Sequence, residues 1–142
     1  MTDSQSVGET VLIIENDFTA RELLAVLIRR HGFGPVTAKN GAVALALLAG
    51  WVNPDLIILD MLMPEVDGWR FLDAVRQSRH RDVPVIITSG VDLTAEWAAD
   101  HGCAGFLHKP FDDTELFAAI GHILKSPDAR RGSPMPAAGE RK

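Results

Sequence analysis

Residues 56–68 read L-I-I-L-D-M-L-M-P-E-V-D-G, and the fold of the chain turns on their first five. Leu56, Ile57, Ile58 and Leu59 make an unbroken apolar run with two β-branched members, closely preceded by Pro54 and closed by a carboxylate. A strand with one wet face alternates apolar and polar residues, whereas a run without alternation suits a strand covered on both faces. Asp60 then stands at the strand's carboxyl end, where open parallel sheets place their ligand crevice. From this stretch alone two readings stand: an acid placed for chemistry, or an Asp that satisfies loop amides.

The same pattern recurs on either side. Residues 11–14 (V-L-I-I) are a second apolar run, ending in Glu15, Asn16 and Asp17. Residues 83–88 (V-P-V-I-I-T) are a third, followed by Ser89 and Gly90, and residues 105–108 read as a strand leading into Lys109 and Pro110. Residues 35–38 are a shorter strand candidate. Helical spacing fills the intervals. Ala20, Leu23, Leu24, Leu27 and Ile28 mark one helix, with Thr19 and Glu22 as its capping box and Gly32 as its stop. Asp17 also suits an N-terminal cap. Residues 41–49 form an Ala/Leu-rich helix, and residues 68–77 a helix with Phe71, Leu72 and Val75 inward. Residues 93–101 form a weaker helix containing Trp97. Asp112 with Glu115 caps a last helix whose Leu116, Ile120, Ile123 and Leu124 face inward. Five strand-then-helix units in succession predict a parallel sheet with helices on both faces.

Domain organisation follows from composition. The chain has 142 residues, 46% hydrophobic and 23% charged, which suits one globular core. We expect residues 1–8 to be disordered, residues 9–125 to form the domain, and residues 126–142, rich in Pro and Gly, to be a disordered tail. With so few residues after the domain, any output is expected to act in trans. The net charge is −5 and no Lys/Arg run exceeds two, so direct nucleic-acid binding is not expected. The one cysteine, Cys103, precludes an intrachain disulfide and reads as an inert thiol. The start of the chain lacks the pattern of a signal peptide, and no apolar run approaches the roughly 18 residues of a membrane span. The expectation is a cytoplasmic protein without membrane insertion. The five histidines show no metal-ligand spacing and read as ordinary surface or loop residues.

Four strand ends therefore supply Glu15 with Asn16, Asp60, Ser89 and Lys109. In a parallel sheet all four open onto one edge. Carboxylates and an amide oxygen are hard ligands suited to Mg²⁺. An ammonium and a hydroxyl suit an incoming phosphoryl group.

At this point the chain resembles a family, the receiver domains of two-component response regulators, over roughly residues 10–125. The resemblance rests on I-I-E-N-D at 13–17, L-I-I-L-D-M-L-M-P-E-V-D-G at 56–68, P-V-I-I-T-S-G at 84–90 and G-F-L-H-K-P-F at 105–111. Each motif alone is weak, but the four in order at these spacings are specific. The resemblance implies a flavodoxin-like, doubly wound α/β fold with strand order 2-1-3-4-5, which the residues alone do not give. It implies that Asp60 is the phosphoacceptor and that Glu15, Asn16, Asp60 and the backbone carbonyl of Leu62 hold Mg²⁺. It implies that Ser89 and Lys109 bind the phosphoryl group, that Ser89 and Phe106 form the switch, and that the Lys109-Pro110 peptide is cis. Thr88 sits one place too early for the switch hydroxyl, and strand alternation sends it to the opposite face.

The implied function is a single-domain response regulator, chemotaxis-regulator-like, that takes a phosphoryl group from a sensor histidine kinase or phosphotransfer protein and passes a conformational signal to a downstream protein. It would hydrolyse its own aspartyl phosphate slowly, since Leu62 and Val91, beside the path of an attacking water, cannot orient one. It would not be a turnover enzyme. A dimer through the fourth helix, fifth strand and fifth helix is left open. One departure stands out: Asn16 occupies a place where the family commonly has a carboxylate. A unit charge at ~4 Å is worth about 4 kcal/mol at an effective dielectric near 20, and desolvation offsets much of it. Weaker Mg²⁺ binding is expected. The alternative is a phosphorylation-independent, receiver-like interaction module. A flavodoxin-type cofactor site is disfavoured because E-N-D after the first strand repels phosphate. An aspartyl-phosphate hydrolase would need a second Asp where Leu62 stands. Leu24 and Ile28 read as core, with a partner surface as the competing role.

Overall fold

The computed structural model describes residues 9–61, 65–90 and 94–124, the side chains of residues 65–67 excepted. The expectations for residues 1–8, for the tail 126–142, and for Leu62 and Val91 lie outside the described residues. Among the described residues five strands alternate with five helices: β1 (Thr10–Ile14), α1 (Phe18–Arg30), β2 (Gly34–Ala38), α2 (Gly41–Ala49), β3 (Leu56–Asp60), α3 (Glu65–Arg76), β4 (Val85–Ser89), α4 (Ala95–Asp100), β5 (Gly105–His108) and α5 (Asp113–Leu124). The strands form one sheet in the order β2-β1-β3-β4-β5. All four pairings are parallel. This is the doubly wound arrangement that the alternation and the resemblance predict.

Why three strands lack polar alternation is visible in the packing. Leu12, Ile14, Ile57, Leu59, Val85 and Ile87 point to one face, against Ala44 and Leu48 of α2, Phe71, Leu72 and Val75 of α3 and Ala98 of α4. Val11, Ile13, Leu56, Ile58 and Ile86 point to the other, against Leu24, Ala25 and Ile28 of α1 and Leu116, Ile120 and Ile123 of α5. Successive residues serve opposite layers, so each must be apolar. Burying one such side chain stabilises the fold by about 1.5–3 kcal/mol. The edge strands differ. In β2 only Ala38 is buried, and no residue of β5 is.

Several boundaries depart from the sequence reading. Helix α1 is capped by Asp17, whose Oδ2 accepts the Ala20 N–H at 2.8 Å, so Thr19 and Glu22 do not form its capping box. Gly32, at φ 92°, ends it as expected. Leu23 is 58% exposed, whereas Leu24 and Ile28 are core. Helix α3 opens at Glu65, ahead of Gly68. Gly68 lies inside the helix, and a Cβ there would stand 2.6 Å from Met61 Sδ; its role is close approach to the end of β3 rather than a boundary. Strand β4 begins at Val85 because Pro84 has no N–H to give, while its carbonyl accepts from Ile57 N–H at 3.0 Å. Helix α4 begins at Ala95, capped by Thr94, which takes the Trp97 N–H at 3.0 Å. The reciprocal box on α5 is present: Asp112 Oδ1 takes the Glu115 N–H at 2.8 Å and Glu115 Oε1 takes the Asp112 N–H at 3.0 Å.

Candidate functional site

The parity of the strands selects which end residues meet. Glu15 continues the phase of Val11 and Ile13, and Asp60 that of Leu56 and Ile58. Lys109 follows Leu107, which packs in the same layer. All three end residues therefore project on the α1/α5 side of the sheet's carboxyl edge. Glu15 and Asp60 are each 1% exposed. Between them lies the Lys109 ammonium, donating to Glu15 Oε1 at 2.9 Å and lying 3.2 Å from Asp60 Oδ1.

Backbone contacts hold this edge together. Glu15 Oε2 accepts the Asp17 N–H at 3.1 Å, Met61 N–H donates to Thr88 O at 2.9 Å, and Lys109 N–H donates to Ser89 O at 2.8 Å. The Lys109-Pro110 peptide is cis. Arg21 of α1 donates through Nη1 to the Glu15 carbonyl at 2.8 Å, a contact the sequence reading missed; it is tertiary and leaves no pattern along the chain.

Two pKa directions follow from one lysine facing two buried carboxyls. Burial pushes Glu15 above its ordinary value; the Lys109 hydrogen bond opposes this, the Asp60 contact adds to it, and the Asp17 amide opposes it. Burial alone would lower Lys109, but the Glu15 hydrogen bond and the Asp60 charge outweigh it and the net direction is upward. One cation is shared by two acids, so a Glu15 that is paired can still hold its proton more tightly than usual.

Ser89 ends β4, one residue past Thr88, which is the register partner of Asp60. Both hydroxyl residues are buried. Ser89 keeps the phase of Val85 and Ile87, on the α2–α4 side, while Thr88 keeps that of Ile86. Phe106 pairs with Ile87 in register and packs half-buried in the same layer as that residue. Ser89 and Phe106 thus share a face. Asn16 is exposed beside Glu15.

No group of three or more His, Cys, Asp or Glu side chains able to hold a metal occurs among the described residues. The donor set here is of another kind, two carboxylates with a neighbouring amide. Its oxygen-only chemistry and the convergence of Glu15 and Asp60 on one cationic position fit a hard divalent ion that keeps several waters. Of the remaining singled-out residues, His80 is a loop histidine that is buried, its Nε2–H donating to Leu48 O at 3.1 Å. Burial pushes the Cys103 thiol upward, against the influence of Arg76, which keeps it unreactive.

Comparison with known proteins gives the family. The chain belongs to the response regulator receiver domain family, whose model matches residues 11–121. It is 34% identical over 115 residues to the transcriptional regulatory protein CpxR of Escherichia coli K12, covering 81% of this chain and 49% of that protein. It is 34% identical over 131 residues to the response regulator MprA of a Mycobacterium species, covering 89% and 55%. The chain thus spans about half the length of the curated relatives it matches. Among solved structures, the receiver domain of Francisella response regulator 1452 superposes with a TM-score of 0.74 at 28% identity, covering 83% of this chain and 98% of that one. The Thermotoga maritima response regulator TrrA, solved in complex with Mg²⁺-BeF, gives 0.69 at 25% identity, covering 81% and 98%. Among the described residues no helix is long and apolar enough to cross a membrane.

Proposed function

We propose that this chain accepts a phosphoryl group on Asp60 from the phosphohistidine of a sensor histidine kinase or phosphotransfer protein, and signals by a change of surface. The observation that carries the reading is the Lys109 ammonium held between the Glu15 and Asp60 carboxylates at 2.9 and 3.2 Å. An Asp60 oxygen attacks phosphorus as the phosphorus–nitrogen bond breaks and the imidazole leaves with the electron pair. Lys109, already beside Asp60, meets the charge on the transferring oxygens, and Ser89 supplies the hydroxyl. Glu15, Asn16, Asp60 and the Leu62 carbonyl would hold Mg²⁺, which when bound neutralises phosphoryl charge. In this reading the chain resets by hydrolysing its own aspartyl phosphate and is a signalling domain rather than a turnover enzyme. It works in the cytoplasm on protein partners.

The test is incubation with a small phosphodonor and Mg²⁺ followed by intact-mass measurement. One acid-labile phosphate is expected on the wild type and none on Asp60→Asn. An unlabelled wild type would leave the phosphorylation-independent module as the better reading, and a labelled Asp60→Asn would move the acceptor elsewhere.

A further inference from the structure

Helix α2 is a surface helix without one charged residue, G-A-V-A-L-A-L-L-A, and its Ala42, Ala46 and Ala49 are exposed. An amphipathic surface helix ordinarily turns charges to water; a helix apolar all round is ordinarily covered. Two hollows lie between α2 and the α3 side of the domain. One, of about 240 Å³, is lined by Asn40, Ala42, Leu45, Arg70 and Phe71. The other, of about 330 Å³, is lined by Leu45, Leu48, Ala49, Ser78 and Arg79. They share Leu45 and so adjoin along α2, and together they are called the α2–α3 groove.

The rim of this groove is charged with one sign. Arg70 stands at one end and Arg79 at the other, and among the described residues neither lining contains a carboxylate. Arg70 makes no ion pair or hydrogen bond among the described residues, while Arg79 donates to Gly50 O at 3.0 Å. Just past the end of α2 stands Trp51, 87% exposed, the most exposed of the large hydrophobic side chains among the described residues. Exposed Trp and Arg around an apolar floor are the residue types that dominate binding hot spots.

We infer that the α2–α3 groove is a docking surface for an amphipathic helix of a partner protein, one whose apolar ridge lies over Ala42, Leu45 and Ala49 and whose flanking carboxylates meet Arg70 and Arg79. The shape is that of helix-in-groove recognition, and Trp51 closes over the end of the docked helix. A second copy of this chain does not fit, since a two-fold interface would bring the same arginines of both copies together with no acid between them. An anionic bilayer does not fit either: the floor is concave, and the chain carries a net charge of −5.

The experiment uses the full chain and two dye-labelled synthetic peptides of about five helical turns. Both carry a leucine ridge; one has flanking Glu and the other flanking Lys. Fluorescence anisotropy is expected to show binding of the Glu peptide alone. Trp51→Ala should weaken it by about tenfold or more. Arg70→Glu with Arg79→Glu should lose the Glu peptide and gain the Lys peptide; Arg70→Glu alone, at an exposed residue with no ion pair or hydrogen bond among the described residues, guards against a folding defect and should show the same trend. Four results would overturn the inference: equal binding of both peptides, no binding of either, preference unmoved by charge reversal, or vesicles of phosphatidylglycerol and phosphatidylcholine binding this face in place of the peptide. Sedimentation showing a dimer that Trp51→Ala dissociates would assign the groove to a second copy instead.

Discussion

Lys109 Nζ donates to Glu15 Oε1 at 2.9 Å, joining residues 94 positions apart in the chain, and the same ammonium lies 3.2 Å from Asp60 Oδ1. Two carboxyls at 1% exposure are costly to ionise side by side without a cation. Lys109→Met should therefore destabilise the domain at neutral pH by about 2 kcal/mol, below the ~3–5 of a fully buried pair, because the lysine side chain retains 23% exposure. Adding Asp60→Asn removes one of the charges left behind and should recover part of that loss. Chemical denaturation of the two single variants and the double variant measures the coupling, and strictly additive losses would contradict it.

Glu15 also sets a pH dependence. Its folded pKa is raised above 4.5, so its contribution to stability is full below that value and is lost as pH rises through the raised pKa. Metal binding runs the other way, since a ligating carboxylate must be deprotonated. Mg²⁺ affinity should fall by about tenfold for each pH unit below the Glu15 pKa, with a midpoint above 4.5. Glu15→Gln should bind more weakly and flatten the profile, and Asn16→Asp should bind more tightly near neutral pH. Calorimetric titration across the acid range checks all three, and a midpoint at or below 4.5 would count against the burial argument.

The caps of α1 separate two readings of one stretch. Asp17→Ala removes the side chain that accepts the Ala20 N–H and should cost about 1 kcal/mol. Thr19→Ala, inside the first turn with an exposed side chain, should change stability by less than about 0.5 kcal/mol. Thermal melts of the two variants decide it, and equal losses would show that Asp17 is not the cap that matters.

What was legible in the sequence was local or periodic. The box at Asp112 and Glu115 is encoded within four residues, and the strand at 105–108 has a punctuating residue at each end. The unbroken runs at 11–14 and 56–59 announce burial on two faces, and a buried parallel strand delivers its last residue to the sheet edge; this is why Glu15 and Asp60 group together on sequence alone. Tertiary effects were not legible. Gly68 looks like a helix boundary and is instead a contact with Met61. Leu23 has the spacing of a core residue, but helical period fixes only the phase of an apolar stripe, not the width that its neighbours cover. Arg21 reaches back to a carbonyl through a side chain whose direction no spacing reveals.

Strand parity puts Thr88 on the face of Asp60 and Ser89, the last residue of β4, on the face of Phe106, so the two hydroxyls test two different routes out of the site. Ser89 keeps the phase of Ile87 and shares a face with Phe106, whereas Thr88 keeps the phase of Ile86 and faces the α1/α5 layer. A phosphoryl group on Asp60 adds acceptor oxygens that can draw in a neighbouring donor. If Ser89 is that donor, its movement vacates space on the face where Phe106 packs, and the rearrangement biases the surface around α4 and β5. Amide exchange with and without phosphodonor should then differ most between residues 94 and 111 in the wild type. Ser89→Ala should still take up phosphate but lose that difference, while Thr88→Ser should keep it. An Ser89→Ala variant with the wild-type difference, or a Thr88→Ser variant without it, would show that the signal leaves Asp60 by another route than the Ser89–Phe106 face.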